Sequence, residues 1–496
     1  MAAMKTPGVY IVEKNAFPNS VVEVATAVPA FIGHTEKAMN GNKSLINKPW
    51  RVTSMAEFRS YFGGEPTPVF EIQEAEGTEP ELLLNGKGYK MQQSNTAYTL
   101  YYNMLLFYAN GGGPCYIVSV GDYTMDFDAE KFTAGVETLI KEQEPTMVLV
   151  PEAIYLEKSA CVALQQAVLA HCGLKMKNRF ALLDIYNGYR SRQDPEGDPV
   201  NEFREAIGSN HLAFGATYYP WINTSVVSEK SITYANVDVA KLKELIEAEV
   251  AEWKDEKRQA QIAEQLPKLE DAELEQVDKD LLHTVLLQNS LVYRSVLKEI
   301  RQKVNLLPPG AAMAGVYTMV DNTRGVWKAP ANVSVSNIVA PAVNISHDEQ
   351  EDLNVPLSGK AVNAIRTFTG EGIKVWGART LDGNSLDWRY INVRRTMIFL
   401  EESVKNAARA YVFEPNEANT WLNIKSMIEN FLRGIWKRGG LAGSVPEDAY
   451  SVHVGLGDTM TPEDILEGIM RITVLVAITR PAEFIEITFQ QQMQKS

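Results

Sequence analysis

The chain has few of the residues that build disulfide frameworks or metal sites. Its 496 residues include three cysteines (Cys115, Cys161 and Cys172) and six histidines. Neither set has the paired spacing of a zinc site, and three cysteines are too few for a disulfide-stabilised domain. The composition therefore excludes both of those classes. It predicts synthesis in a reducing cytoplasm and a protein that needs no metal or cofactor.

Long apolar runs and an excess of basic residues are also missing. No stretch of about 18 apolar residues is present, so we expect no membrane-spanning segment and no direct membrane insertion. Met1–Lys5 is followed by Thr6-Pro7 and not by an apolar core, which predicts that there is no signal peptide. The net charge is −14. Because phosphate binding requires a concentrated basic surface, we expect no nucleic-acid partner.

Catalytic motifs are absent as well, which predicts that the protein is not an enzyme. Gly111–Gly113 lies between a helix and a strand, and no Gly-Lys-Ser/Thr follows, so it does not fit a phosphate-binding loop. No Gly-x-Ser-x-Gly motif is present. His347–Asp352 lacks the spacing of a calcium loop and is interpreted as a solvated turn. Glu401–Glu402 is interpreted as pairing with Arg394 or Arg395. An enzyme built on the α/β layer stays open as an alternative.

The middle of the chain shows apolar periodicity that alternates between strand and helix. After a helix at Ala97–Ala109, the patterns predict an α/β layer of mostly parallel strands. The predicted strands are Cys115–Val120, Thr146–Val150, Arg179–Ile185 and Ala213–Tyr219. The predicted helices are Phe132–Lys141, Ser159–Cys172 and Val200–Ile207.

Three other stretches have their own character. Residues 36–95 carry scattered Gly, Pro and Asn and are predicted to be a loop-rich surface insertion. Residues 238–305 are acid-rich and nearly free of glycine, which predicts an inserted helical hairpin. Its apolar positions are Leu242, Leu245, Ile246, Val250, Val285, Leu286, Leu291, Val292 and Leu297. Ala314–Val320 is predicted to be a strand.

The last third of the chain contains its clearest amphipathic helix. Gly372–Arg379 predicts a strand that ends in a turn, and Ile391–Lys405 a helix. The long helix follows, with Asn416 as its N-cap and Gly439-Gly440 at its end. Its apolar stripe is Trp421, Ile424, Ile428, Phe431 and Ile435, and its opposite face carries Lys425, Glu429, Arg433 and Lys437. A strand near Tyr450–Val454, a capped helix start at Thr461–Asp464 and a buried strand at Ile469–Thr479 complete this part.

Strand-like segments stand at both ends of the chain. Thr6–Glu13 and Val21–Val28 are strand-like, and in Glu483–Phe489 apolar residues alternate with polar ones. Either end is compatible with an ordinary first or last strand. Together they favour β-augmentation, in which each end pairs with another copy of the chain. The candidate linking residues are Val9, Tyr10, Ile11 and Val12 at one end and Phe484, Ile485, Ile487 and Phe489 at the other.

Six short motifs, in this order, resemble the tail sheath proteins of contractile bacteriophages and of phage-tail-like contractile injection systems. The motifs are Thr6–Tyr10, Thr323–Ala331, Gly372–Leu381, Trp388–Arg395, Phe413–Asn416 and Arg480–Phe484. The resemblance does not extend to residues 36–100 and 235–305. It implies a multi-domain tail sheath fold of mixed α/β class, with an α/β core, a C-terminal sheath domain and extended terminal β-arms.

The resemblance also implies a domain order. We expect an N-terminal arm (residues 1–28), an initial strand with the loop-rich insertion (29–110) and an α/β domain with the helical hairpin (111–345). A tube-facing sheath domain (346–480) and a C-terminal arm (481–496) follow.

The function that the resemblance implies is structural. Six subunits form a ring around an inner tube, and the stacked rings form a helical sheath that is assembled extended and metastable. Contraction drives the tube through a target cell envelope. The expected partners are further copies of the chain, the inner tube, and baseplate and terminal cap proteins. The tube-facing candidates are Lys425, Arg433, Lys437 and Arg438; alternatively, Lys437 and Arg438 only complement the helix dipole. A component of a type VI-like secretion sheath stays open, although those sheaths usually divide between two chains.

Overall fold

The computed structural model describes residues 20–75, 79–271 and 273–488. These residues divide into two compact units. The larger unit comprises residues 25–324 and 329–394, and the smaller comprises residues 20–24, 325–328 and 395–488. The predicted segment Thr6–Glu13 lies outside the described residues. Residues 21–28 belong to no strand, and the first described strand begins at Pro29.

The N-terminal part of the larger unit has more regular structure than the loop-rich insertion predicted for residues 36–95. It contains strands β1 Pro29–His34, β2 Met39–Asn40, β3 Lys43–Ser44, β4 Trp50–Val52, β5 Phe70–Glu74, β6 Leu82–Leu84 and β7 Lys87–Gln93, and helix α1 Met55–Phe62. Phe70 and Ile72 alternate with exposed residues along β5 and are buried. The prediction was wrong because these strands are too short for periodicity to stand out among Gly and Pro residues.

The predicted alternation of strands and helices is confirmed between residues 100 and 219. The elements are α2 Leu100–Ala109, β8 Cys115–Gly121, α3 Ala129–Thr138, β9 Met147–Leu149, α4 Lys158–Ala170, β10 Phe180–Asp184, α5 Pro199–Ala206 and β11 Gly215–Tyr219. Every residue of β8, β9, β10 and β11 is buried. This explains why these strands are continuous apolar runs, as parallel strands covered on both faces are.

The predicted hairpin at 238–305 contains four helices instead of two. They are α6 Val239–Ala251, α7 Glu256–Gln265, α8 Gln276–Asn289 and α9 Leu291–Val304, and strand β12 Ile222–Thr224 precedes them. The side chains of Asp255 and Ser290 accept backbone hydrogen bonds at the starts of α7 and α9, so each caps a new helix. The sequence prediction missed these two helix starts because Asp255 and Ser290 do not stand out among the other polar residues of this charged stretch. Leu291, predicted as a core position, is 62% exposed.

Two further predictions are wrong in the segment that completes the larger unit. It contains β13 Leu306–Leu307, α10 Gly310–Arg324, β14 Val333–Ser334, β15 Ile338–Pro341, α11 His347–Asn354, β16 Asn363–Phe368 and β17 Gly372–Trp376. Ala314–Val320, predicted as a strand, lies inside α10. A Cβ at Gly315 would lie 2.6 Å from the carbonyl oxygen of Phe107 in α2, so close helix packing overrides strand propensity here. His347–Asp352 is helical, because Ser346 and Glu349 form a capping box.

A nine-stranded sheet is the centre of the larger unit. Its order is β14-β17-β16-β11-β10-β9-β1-β8-β4. The pairs from β16 through β11, β10, β9 and β1 to β8 are parallel, and the outer pairs are antiparallel. Phe31 packs in one apolar cluster with α2 and α10, and its neighbours Ala30 and Ile32 pack in a second cluster with α3, α4 and α5. Helices therefore cover both faces, and the predicted α/β class is confirmed.

The C-terminal elements agree with most of the predicted ones. They are α12 Ile391–Ala408, α13 Ala418–Lys437, α14 Pro446–Ala449, β18 Tyr450–His453, α15 Pro462–Leu466 and β19 Thr473–Val476. The N-cap of α13 is Glu417 and not Asn416. The Asn416 side chain is used elsewhere: it accepts a hydrogen bond from Trp421 Nε1 at 2.7 Å and donates one to the carbonyl of Ile469 at 3.0 Å.

Candidate functional site

The core of the smaller unit is the buried face of α13. Its buried residues are Thr420, Ile424, Met427, Ile428, Phe431, Leu432 and Ile435, which confirms the predicted amphipathic stripe, with Trp421 only partly buried. Phe399 of α12 contacts Phe431, with ring centroids 6.0 Å apart. Tyr450 and Val452 of β18 join the same cluster. The apolar side of α13 is thus used within the subunit, which leaves its polar side for other contacts.

Strands β18 and β19 pair antiparallel beside α13 and form a sheet of two strands among the described residues. Residues 469–479, predicted as one buried strand, form the strand only at Thr473–Val476. Val474 and Val476 are partly buried and Leu475 is 57% exposed. Directly after β19 the chain also pairs with a segment near Leu441, through the Leu441–Ile478 bridge and a hydrogen bond from the Ala442 N–H to the Ala477 carbonyl. A two-stranded ribbon is marginally stable alone, and these contacts within the subunit support it.

An apolar groove of about 420 Å³ lies along β19. It is lined by Met397, Leu400, Glu401, Val404, Lys405, Leu432, Val474 and Val476. Glu402, which the sequence interpretation paired with an arginine, forms an ion pair with Lys405 at 2.8 Å. The groove and strands β18 and β19 are on the same unit as the C-terminal residues predicted to link subunits.

The predicted linking residues of the C-terminal arm are exposed where they are described. Phe484, Ile485 and Ile487 are 75%, 79% and 70% exposed, and residues 481–488 belong to no strand. Phe489 lies outside the described residues, as do Val9, Tyr10, Ile11 and Val12 of the N-terminal arm. The predicted half-buried C-terminal strand is therefore not formed within the described part of this chain.

Three of the four predicted tube-facing residues already contact other side chains of the same chain. Lys425 lies 3.9 Å from Glu429, and Arg433 Nε donates to the Tyr450 hydroxyl at 3.5 Å, which raises the pKa of Arg433. Arg438 pairs with Glu23, and its guanidinium lies 5.2 Å from the centre of the Trp327 ring.

The side chain of Lys437 is exposed and forms no hydrogen bond or ion pair with any residue that the structure describes. Of the four, Lys437 is thus the residue most available to a partner.

The structure also brings together a polar pair that the sequence interpretation did not select. His34 and Glu152 are fully buried, and His34 Nδ1 lies 3.0 Å from Glu152 Oε2. The two residues are 118 positions apart, so no local pattern links them. The available signal was a polar residue, His34, at the end of a buried apolar strand.

A second missed feature is Phe413, which is fully exposed with φ of 72°. Phe413 belongs to the Phe413–Asn416 motif, which marked it as a residue of interest. The motif alone could not show that its side chain is exposed or that its backbone is strained.

Among the described residues, no group of three or more His, Cys, Asp or Glu side chains is placed to hold a metal ion. No described helix combines the length and apolar character needed to cross a membrane.

Comparison with known proteins confirms the predicted resemblance. Residues 384–492 match the family model of the phage tail sheath C-terminal domain. The tail sheath protein of Vibrio phage KVP40 is 24% identical over 164 residues, which cover 32% of this chain and 23% of that protein. The chain thus spans about a quarter of the length of that curated relative.

Solved structures extend the likeness over the whole chain. The sheath complex of PVC, an extracellular contractile injection system in its contracted state, is 27% identical with a TM-score of 0.61, and the match covers 99% of both chains. A chain from the baseplate of the anti-feeding prophage is 27% identical with a TM-score of 0.59, covering 99% of this chain and 100% of that one.

Proposed function

We propose, from its likeness to contractile sheath proteins, that this chain is a structural subunit of a contractile sheath and not an enzyme. The observation that carries the proposal is the match to a sheath chain over 99% of both lengths, together with the sheath C-terminal domain at 384–492. The domain order predicted from the sequence stays part of this proposal.

In the proposed assembly, six copies form a ring around an inner tube and the rings stack into a helical sheath. The sheath is built in an extended, metastable state on a baseplate and is closed by a terminal cap. Contraction to a packing of lower free energy drives the tube through the target envelope. Assembly takes place in a bacterial cytoplasm, and the protein acts in a phage virion or a released particle.

The joints of this assembly are proposed to be the terminal arms. Extended arms from neighbouring copies add strands to the sheet of β18 and β19 and pack apolar side chains against the smaller unit. Two observations support this: Phe484, Ile485 and Ile487 are exposed, and an apolar groove lies along β19. Backbone pairing can hold the subunits together during contraction, because the chain next to a paired strand can bend while the hydrogen bonds of that strand persist.

Electron microscopy of particles purified from the producing bacterium tests the proposed function. We expect tubular particles whose outer layer contains this chain, with both a long, narrow form and a short, wide form. Antibody labelling against the chain should decorate the whole outer layer. A chain found only as a free monomer, or only on a non-contracting tube, would contradict the proposal.

The contact with the inner tube is proposed to use the polar side of α13. Reversing two charges, in Lys425→Glu with Lys437→Glu, should weaken co-assembly with the tube because an acidic tube surface would be repelled. We expect a loss of about 1 kcal/mol per subunit, which repeats in every copy along the tube. Co-sedimentation of the sheath with the tube measures the effect.

The matched control is Lys254→Glu with Lys257→Glu, which reverses two exposed lysines of the larger unit. The control should co-sediment like the wild type. Normal recruitment of the doubly reversed variant to tubes would mean that a different surface contacts the tube. A parallel variant, Arg438→Glu, is expected to lower subunit stability too, because Arg438 also contacts Glu23 and Trp327.

A further inference from the structure

The five central parallel strands of the larger unit have a doubly wound order. In chain order they are β1, β8, β9, β10 and β11, and in space they lie as β8-β1-β9-β10-β11. This is the 2-1-3-4-5 order, whose switch point lies between the first and third strands. Consistent with that topology, α2 packs on one face of the sheet while α3, α4 and α5 pack on the other. Such sheets bind ligands outside the carboxyl ends of the strands at the switch point.

Glu152 occupies that point in this chain. Strand β1 ends at His34, and Glu152 lies three residues beyond the end of β9. Its Oε2 accepts a hydrogen bond from the backbone N–H of His34 at 2.8 Å and lies 3.0 Å from His34 Nδ1. Its Oε1 accepts from the backbone N–H groups of Thr99 and Leu100 at 3.0 and 3.1 Å. Four groups thus surround one fully buried carboxylate.

Two of these donors belong to the start of α2, the helix between the first two core strands. A helix N-terminus at this place is the usual anion position of the architecture, because its free N–H groups and its dipole favour negative charge. The N-cap Thr99 makes no side-chain capping bond, so Glu152 supplies the acceptor. A Cβ at Gly33 would lie 3.1 Å from Glu152 Oε2, which leaves no room for a bulkier residue beside the carboxylate.

The surroundings are built to enclose this carboxylate. The ring of His34 lies 5.2 to 5.6 Å from those of Tyr98, Phe127 and Phe132, measured between centroids. His34 Nε2 is buried and has no hydrogen-bond partner among the described residues. The cleft that stays open at this edge, about 360 Å³, is lined in part by Asp126 and Glu157, whose charges repel an incoming anion.

We propose that Glu152 is the resident anion of the switch-point crevice. Its carboxylate takes the place that the architecture elsewhere gives to the anionic group of a diffusible ligand. The crevice is therefore closed in the wild-type chain, and removal of the side chain creates a binding site for small monocarboxylates such as formate. This inference concerns the larger unit alone and does not rest on the proposed sheath function.

Chemical rescue of the full-length chain tests the proposal. Glu152→Ala should lower the thermal unfolding midpoint by about 5–10 °C, because three backbone donors and His34 lose their acceptor. About 100 mM formate should restore half or more of that loss by binding the native state. The wild type and the control Glu247→Ala, an exposed carboxylate on α6 of the same unit, should show no response beyond that to sodium chloride at equal ionic strength.

Several results would overturn the proposal. They are an unchanged midpoint in Glu152→Ala, an equal formate response in wild type and variant, and stabilisation of the wild type by formate or inorganic phosphate. If Glu152→Ala is insoluble, its soluble yield with and without formate replaces the midpoint, and an unchanged yield counts against the proposal. Glu152→Gln keeps the volume but not the charge, so it should be destabilised yet unresponsive to formate; wild-type stability in this variant would also contradict us.

Discussion

A chain that lacks residues 1–20 will fold into a subunit of wild-type stability and will not polymerise. The reason is that the N-terminal arm is proposed to pair with other copies, while the described core residues of both units, with Val21 and Val24 that pack against the smaller core, lie beyond residue 20. Removal of backbone pairing between copies removes the joints along which the sheath grows. Negative-stain microscopy and sedimentation measure polymerisation, and the thermal midpoint of the free subunit verifies folding.

Deleting the last roughly 15 residues should also give a folded subunit that does not polymerise. Point variants can then show which side of the C-terminal arm makes the contact. In an extended arm, Ile485 and Ile487 point to one side and Glu486 and Thr488 to the other. We expect Ile485→Asp with Ile487→Asp to abolish assembly and Glu486→Ala with Thr488→Ala to preserve it. Sheaths of normal length from either truncation, or equal behaviour of the two double variants, would refute the arms as joints.

The parts of the fold that the sequence predicts are those in which periodicity and burial agree. Strand β8 is buried along its whole length and preceded by Gly and Pro, so the stretch Cys115–Val120, apolar apart from Ser119, predicts all of it but the last residue. Helix α13 buries one side, so residues such as Ile424 and Ile428 recur at helical steps. The failure at Ala314–Val320 has a different cause: contact with α2 decides the conformation, and Phe107 is about 200 residues away in the sequence.

The candidate sites were predictable to a different degree. The C-terminal arm is predicted from alternation within a few residues, Ile485 to Thr488, and it stays a prediction because the described residues form no strand there. The four basic residues on and after α13 look alike in sequence, yet Arg438 is engaged by Glu23 and Trp327 while Lys437 is not engaged by any described residue. Such partners come from distant parts of the chain, so the difference requires the structure. The Glu152 carboxylate is the same case, since its donors belong to two segments, at His34 and at Thr99–Leu100, that lie far from it in the sequence.

The second large effect is expected from Asp184, at the end of β10. Burial raises the pKa of this carboxyl to about 7 from 3.8, although the backbone N–H of Gly310 donates to it at 2.8 Å and acts in the opposite direction. Because the folded-state pKa is higher than the unfolded one, the native state binds the proton more tightly. The contribution of Asp184 to the free energy of unfolding is therefore most favourable below about pH 4, and this stability is lost as the pH rises to about 7.

Asp184→Asn removes this ionisation while keeping an oxygen that accepts from Gly310. At pH 8 the variant should exceed the wild type in unfolding free energy by about 2 kcal/mol or more, with an upper bound of about 4 kcal/mol set by the difference in pKa. The advantage should decrease towards about pH 4. Urea unfolding midpoints of both chains across this range measure it, and the exposed Asp126→Asn serves as the control with no such trend. An advantage that is equal at both ends of the range would mean that Asp184 stays ionised in the folded chain, with a polar contact compensating its burial.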